Sequence, residues 1–308
     1  IENAESYGAF LGARYQDAPI LWVIGGDRNP VEPVHSEIWR ALAAGLRRGG
    51  AEQPMTFHPQ GSASSADFFH DEPWLAFNMI QSGHSARDLA NHAMIERDYR
   101  RLPTKPCMDA EACYEDHAVN WDAANGYFDD HDVRKTAYWP LFAGAHGHTY
   151  GANGVFQFWK GEGEGDRFGV RRRWEEALDL PGAGQMRFVR RLMESRPMLT
   201  RVPDQGLLAS RARAGGEHAR ATRGEDGAYA FVYLPTGGPV SVDLGKLSGD
   251  TVVASWYDPR TGETHAAGTQ PATGAATFEP PTSGPANDWI LVLDDADRRF
   301  PPPGSAAA

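Results

Sequence analysis

Lysine is almost missing from this chain. In 308 residues it occurs only at positions 105, 135, 160 and 246, and arginine supplies the rest of the 30 basic side chains, a bias that reads as the codon usage of a GC-rich bacterium rather than as chemistry. Positive charge is scarce overall. The 41 acidic residues leave a formal charge of -11, which excludes a nucleic-acid binder, because phosphate recognition needs a basic face. An uncharged or basic ligand fits better. Cysteine is limited to Cys107 and Cys113, on what reads as one strand and its exit loop, too far apart for a bridge in an extended segment. The redox compartment therefore stays open. No apolar run approaches the roughly 18–20 residues of a membrane span, and no charged-then-apolar leader opens the chain. Beyond His146 and His148 no His or Cys falls at a ligand spacing, so neither a metal nor a cofactor is expected. A starting Met is absent too. "ENAESYGAFLGARYQ" places apolar residues at 7, 10, 11 and 15, so the chain reads as beginning inside an amphipathic helix, as the later part of a longer polypeptide.

What is present, up to about residue 200, alternates short apolar runs with helical patterns. Strands are predicted at Ile20 to Gly25, Met55 to His58, Ala76 to Gln81, Pro106 to Glu111 and Gly154 to Trp159, the first with Ile20 to Ile24 buried. Helices are predicted at Pro33 to Arg48, Ser85 to Arg101 with Ser85 as N-cap, His131 to Ala143 and Trp174 to Arg196. Strand–helix alternation with near-continuous apolar strands predicts a parallel α/β sheet, of which a (β/α)8 TIM-type barrel is the natural form; five of its eight strands are found. After Pro203 the pattern changes to short period-two strands with turns such as "DPRTG", which predicts an antiparallel β-sandwich. The expected domains are 1–202 for the later part of the barrel, 203–296 for the sandwich and 297–308 for a disordered tail.

In a parallel α/β sheet ligands gather at the carboxyl ends of the strands. Those ends are polar throughout: Asp27, Arg28 and Asn29; His58 and Gln60; Gln81, Ser82 and His84; Asp109, Glu111, Tyr114 and Glu115; then His146, His148 and Tyr150 before Trp159. Two carboxylates on separate strands, with hydrogen-bonding groups and aromatics such as Trp74, Trp121, Tyr150 and Trp159 around them, suit hydrolysis of a glycosidic bond. Each feature also has a plainer role. Asp27 suits a helix N-cap or a partner for Arg28, Glu111 a structural ion pair, Cys107 a small buried apolar residue, and "GEGEGD" (161–166) a solvated glycine loop.

"ILWVIGGDRNP", "MTFHPQGSASSADFF", "FNMIQSGH", "KPCMDAEACYED" and "GAHGHTYGANGVFQFW", in that order, resemble the apiosidase-like glycoside hydrolases, bacterial (β/α)8 barrels. The segment with "WYDPRTGE" and "DWILVLDD" is similar to the sandwich that often follows that barrel, a domain labelled collagen-binding. The resemblance implies about three further βα units upstream of "GGDRNP". It implies Asp27 as general acid/base and Glu111 as nucleophile. The broader sugar-hydrolase pattern has Asn-Glu where this chain has Gly-Asp, and Asp is one methylene shorter, so the carboxyl gap and the stereochemical outcome are set by this chain's own geometry; retention is expected. Substrate contacts are expected from Arg28, Asn29, His58, Trp74, Gln81, His84, Tyr114, Glu115, His148, Tyr150 and Trp159. His58, Gln81 or Tyr114 is expected to keep Glu111 ionised, and Arg28 to turn away from Asp27, toward Glu115 or a sugar hydroxyl. The expected partner is an oligo- or polysaccharide of plant or microbial origin, cleaved outside the cell or at its surface; the resemblance points to furanosides, since the family's named activity releases a branched pentofuranose. The alternative is a carbohydrate-binding or surface-adhesion protein whose barrel does not turn over.

Overall fold

The computed structural model describes residues 1–161, 168–210 and 212–305, so the glycine loop read over 161–166 lies, Gly161 apart, outside the described residues. The elements run α1 (Glu2–Tyr15), β1 (Trp22–Gly25), α2 (Pro33–Arg48), β2 (Met55–His58), β3 (Ala63–Ser64), α3 (Ala66–Phe69), β4 (Asn78–Gln81), α4 (Asn91–Tyr99), β5 (Cys107–Asp109), α5 (Asp130–Phe142) and β6 (Gly147–His148). There follow α6 (Asn153–Phe156), α7 (Trp174–Ala177), α8 (Pro181–Glu194), β7 (Arg201–Pro203), β8 (Arg220–Gly224), β9 (Tyr229–Leu234), β10 (Val240–Asp243), β11 (Thr251–Tyr257), β12 (Thr264–Pro271), β13 (Ala275–Phe278) and β14 (Trp289–Asp295). The chain divides into two compact units, one of residues 1–83, 94–111 and 145–148, the other of 84–93, 112–144 and the chain from 149 onward.

The first unit holds the parallel strands. β1 pairs with β2, a bridge from Met55 to Leu75 leads toward β4, and β4, β5 and β6 pair in turn, all parallel and in chain order. That succession is an arc of a (β/α)8 sheet. β4 is buried along its whole length, as a strand covered on both faces must be. β1 departs from expectation: Ile24 is buried, but Leu21 and Val23 are 59% and 46% exposed. Among the described residues its only strand partner is β2, so the other edge and the side chains beside it lack cover.

α1 also corrects its prediction. Tyr7 and Phe10 face outward, and the buried residues are Gly8 and Gly12. The reason is a backbone-to-backbone contact. A Cβ added at Gly8 or Gly12 would run into the carbonyls of Leu42 or Leu46, and one added at Gly45 or Gly49 into those of Glu5 or Ala9. Two i,i+4 glycine pairs thus let α1 and α2 touch without side chains between them. Gly45→Ala is expected to lower stability by about 1–3 kcal/mol, because neither carbonyl-bearing helix can yield as a side chain would. Gly184→Ala on α8, where an added Cβ meets nothing within 4 Å, should be neutral or slightly stabilising, and thermal denaturation of the two variants checks the contrast.

In the second unit a six-stranded antiparallel sheet, ordered β12-β11-β14-β9-β8-β7, carries a two-stranded sheet of β10 and β13 on one side. Alternation sorts the side chains. Ala230, Val232, Leu234, Leu291 and Leu293 join Val240, Val242 and Trp256 in the sandwich core, while Tyr229, Phe231, Tyr233, Ile290 and Val292 face Tyr138, Phe142, Phe188 and Leu192 of α5 and α8. The sheet is therefore buried on both faces. Two buried bidentate pairs fasten the helical side: Arg134 Nε and Nη2 bond Asp288 at 3.0 and 2.9 Å, and Arg196 Nε and Nη2 bond Asp294 at 2.8 and 2.7 Å. The Tyr233 hydroxyl donates to Asp288 at 3.1 Å. Cys107 and Cys113 are both buried.

Other predictions are adjusted. α4 begins at Asn91, not Ser85, because Asp88 sits at φ 60 and interrupts the helical backbone. The helix expected from Trp174 to Arg196 breaks at Pro181, which starts α8 at its first turn after an extended Leu180. The strand expected at Gly154 to Trp159 does not form: the strand is β6, and 153–156 is a helical turn with Gly154 pressed on the Arg172 carbonyl. A six-residue stretch, Gly-Val-Phe-Gln-Phe-Trp, is too short to carry a period that separates the two outcomes. The tail, expected to be disordered over 297–308, is ordered through 305: Phe300 packs on Tyr229 and under Arg196, and Thr264 donates to the Pro303 carbonyl. Residues 306–308 lie outside the described residues.

Candidate active site

Within the first unit the strand ends bring the Glu111 carboxylate and the Asp27 backbone onto one imidazole. β1 and β2 are in register at Gly25 and His58, so the turn after Gly25 delivers Asp27 beside the His58 ring. The Asp27 N–H points at His58 Nδ1 at 3.4 Å, and His58 Nε2 lies 2.9 Å from Glu111 Oε2. Glu111 follows β5 by two residues and is fixed from the neighbouring strand end, where the Gly83 N–H donates to its carbonyl at 3.0 Å. Beneath it Asp109 is fully buried and accepts from the Ser82 hydroxyl at 2.7 Å. The sequence placed Asp109 at a strand end but gave no sign of this bond, because Ser82 lies on the adjacent strand's exit.

The two carboxylates differ in surroundings. Glu111 is 16% exposed and paired; Asp27 is exposed and, among the described residues, neither it nor Arg28 makes a side-chain hydrogen bond or ion pair. The N-cap and Arg28-pair roles for Asp27 are thus not what forms. Its φ of 49 lies in the left-handed region, which aspartate enters more readily than most residues, as Asp88 and Asp116 also do. Asn29 is committed to the loop, accepting from the Gln60 N–H at 2.8 Å and tying the β1 exit to the β2 exit.

The hydrogen bond to Glu111 raises the His58 imidazole above its ordinary value, and the charges of Glu111 and Asp27 add to that against the opposing effect of burial. Gln81 and His148, closing the strands on either side of β5, each bury a polar atom without a partner among the described residues: Gln81 Oε1 and His148 Nδ1. Buried orphans are uncommon and are accounted for when a ligand completes them. Burial pushes the His148 imidazole down to about 4, so it is neutral at working pH and able to accept or donate one bond to an uncharged hydroxyl. The unfolded chain takes up that proton near the ordinary 6.5, so stability is lost as pH falls from 6.5 toward 4, by on the order of 1–3 kcal/mol. His148→Asn is expected to flatten this acid loss, read as the difference in melting temperature between pH 7 and pH 4.5.

Other predicted contacts go elsewhere. Trp74 precedes β4, at the amino end of the strand, and packs on Phe69 with centroids 5.2 Å apart; it is core, not a sugar platform. In the second unit Glu115 is buried, accepting from the Tyr150 hydroxyl at 2.6 Å and from the Gly182 N–H at 3.2 Å. Both residues thereby anchor the start of α8. Burial raises the Glu115 carboxyl. His84 stacks with Tyr114 and His117, each with centroids 4.5 Å away, and Trp121, 48% exposed, lies at the edge of that group. Trp159 is half-buried, its carbonyl taking the Trp174 N–H. Sequence reasoning missed Phe156 and Phe158, which are 58% and 61% exposed, the latter stacked on Trp174 at 4.7 Å, because a buried strand was assigned there. Asp129, His131 and Asp132, the grouping with metal-ligand spacing among the described residues, is already spent: the aspartates cap α5 reciprocally and His131 donates to the Pro235 carbonyl.

A parallel α/β barrel sheet with Glu111 held on His58 and an uncommitted Asp27 at its carboxyl ends, followed by an antiparallel sandwich, defines a glycoside hydrolase. The comparisons agree. Residues 1–200 match the family described as "Apiosidase-like, catalytic domain", and residues 202–294 the one described as "Putative collagen-binding domain of a collagenase"; the chain belongs to the apiosidase-like family. A solved structure named "Glycoside hydrolase" is 37% identical with a TM-score of 0.91, covering 96% of this chain and 69% of its own. A glycoside hydrolase family 5 protein from Bacteroides vulgatus ATCC 8482 is 35% identical with a TM-score of 0.92, covering 99% of this chain and 68% of its own. No curated protein matches the chain.

Proposed function

We propose that the protein cleaves a glycosidic bond in a plant or microbial oligo- or polysaccharide, a furanoside being the first class to test, by a retaining mechanism. Asp27 protonates the leaving oxygen while Glu111 attacks the anomeric carbon; Asp27 then takes a proton from the water that releases the sugar from Glu111. The observation that carries this reading is the division between the two carboxylates, Glu111 held by His58 and Asp27 open to solvent and uncommitted. That Arg28 leaves Asp27 alone favours turnover over a purely binding role. Gln81 and His148 offer their unpartnered atoms to sugar hydroxyls.

A polymeric substrate places the reaction outside the cell or at its surface. The unpaired edge of β1 and the exposed Leu21, Val23 and Tyr7 suit further βα units of the same barrel, contributed upstream of residue 1 in the natural polypeptide. The test is a screen of aryl furanosides, aryl pyranosides and polysaccharides with the full natural polypeptide. The substrate found is then made as its 2-deoxy-2-fluoro analogue with an activated leaving group, and the adduct is located by peptide mass spectrometry. A glycosyl adduct on Glu111 is expected; an adduct on another carboxylate, or product of inverted anomeric configuration, refutes the mechanism.

A further inference from the structure

His58 touches both carboxylate-bearing segments with one ring, and its two Nδ1 contacts call for opposite protonation states. Nδ1 lies 2.9 Å from the Pro59 carbonyl, which accepts only from an N–H, and 3.4 Å from the Asp27 N–H, which needs a lone pair. Nε2, 2.9 Å from Glu111 Oε2, carries a proton in either case. The doubly protonated ring therefore donates to Glu111 and Pro59 and leaves the Asp27 N–H alone. The singly protonated ring still donates to Glu111 but takes the Asp27 N–H instead. The shorter contact, to Pro59, belongs to the imidazolium. The charged groups that face the ring from the elements around it are Glu111, beyond β5, and Asp27, beyond β1, both acidic.

We propose that His58 is a positioning residue whose Nδ1 proton governs both carboxylates: as imidazolium it holds Glu111 charged and aligned, and on losing that proton it captures the Asp27 backbone and draws the acid/base loop out of place. This rests on the reading of Asp27 and Glu111 as the reacting pair and adds a control that the reading does not require. It gives activity an alkaline limb that does not belong to the proton donor. The two limbs separate with a substrate whose leaving group needs no protonation, because there the donor's ionisation drops out of the first step and the His58 limb remains.

Two measurements test it. In protein with 13C,15N-labelled histidine, the His58 ring is titrated by NMR in wild type and in Glu111→Gln, without any turnover. The expected midpoint is above that of free imidazole in wild type and lower by about one pH unit or more in the variant, with the Nδ1 resonance moving from donor to acceptor through the transition. In parallel, kcat/KM for the 4-nitrophenyl glycoside cleaved fastest in the screen is followed against pH in wild type and His58→Gln. The variant is expected to lose 10- to 100-fold in kcat with KM changed less than about threefold, and to lose the alkaline limb. A wild-type midpoint at or below free imidazole, or an alkaline limb unchanged in His58→Gln, overturns the proposal. Should His58→Gln fail to fold, the wild-type titration alone decides. An adduct on Glu111 with no shift of His58 removes the role of His58 and leaves the nucleophile standing. A shift of His58 with the adduct elsewhere removes the nucleophile, and the role of His58 with it.

Discussion

Glu111→Gln is expected to lower kcat/KM by about 10³-fold or more on every glycan the parent cleaves, with the fold unchanged by circular dichroism. The size follows from the role. A neutral amide cannot supply the bond-forming electron pair, and the His58 imidazolium, 2.9 Å away in the parent, is left facing an acceptor without charge. Because the lost group acts only on the reacting carbon, KM should change little. Asp27→Asn is expected to behave differently, and the contrast is the sharper test. Against a poor leaving group it should cost about 10²–10⁴-fold, the range of general acid–base catalysis, but against an activated aryl glycoside the first step should survive and the second become limiting. Added azide should then restore turnover in Asp27→Asn and yield a glycosyl azide of retained configuration. If both variants keep near-parental rates, neither carboxylate is catalytic. If Asp27→Asn responds to azide and Glu111→Gln does not react at all, the two roles are assigned as stated.

Arg134→Leu is expected to destabilise the protein by about 3–5 kcal/mol. The guanidinium is 1% exposed and spans Asp288, Gln185 and Asp130, so its removal strands a fully buried aspartate at Asp288 with only the Tyr233 hydroxyl to satisfy it. The double variant Arg134→Leu/Asp288→Leu should recover most of that loss, since it removes both buried charges together. Urea or thermal denaturation of the three proteins checks this, and equal destabilisation by the single and double changes would count against the ion pair as the cause. A larger effect is expected from ending the chain at residue 202. It would uncover Tyr138, Phe142, Phe188 and Leu192, so the truncated protein should be insoluble rather than merely inactive. The face of the sheet that α5 and α8 occupy is unavailable to any other ligand. A binding role for the sandwich, collagen included, has to use its other surfaces.

How far these features are legible in the sequence depends on whether they are local. The barrel class is legible because short strands with buried apolar residues, such as Met79 and Ile80 of β4 and Cys107 of β5, alternate with helical patterns, and the sandwich because "YAFVYL" alternates aromatic and aliphatic residues that go to opposite faces. α1 was misread because its burial signal is the spacing of Gly8 and Gly12, which a search for apolar residues does not register. The 154–159 stretch was misread because six residues are too few to carry a period. Asp27 and Glu111 stand out as acids at strand ends. The His58 bridge between them does not, since β2 and β5 are not neighbours in the sheet and nothing in either segment encodes the meeting. Trp74 shows the converse error: a tryptophan near a strand was credited to the site, when its position at the amino end put it in the core.

The Arg134–Asp288 pair joins residues 154 positions apart, and that separation sets a schedule for biosynthesis. A ribosome adding roughly 5–20 residues per second makes α5 about 8–30 s before β14 can reach it. For that interval Arg134 lacks its buried bidentate partner, and Ile290 and Val292 are missing from the cluster that covers the aromatic face of α5. β14 completes the burial of α5, so premature termination anywhere before residue 288 yields a sticky intermediate, and slow or interrupted translation between the codons for α5 and β14 is where this protein is most exposed to chaperones and proteases.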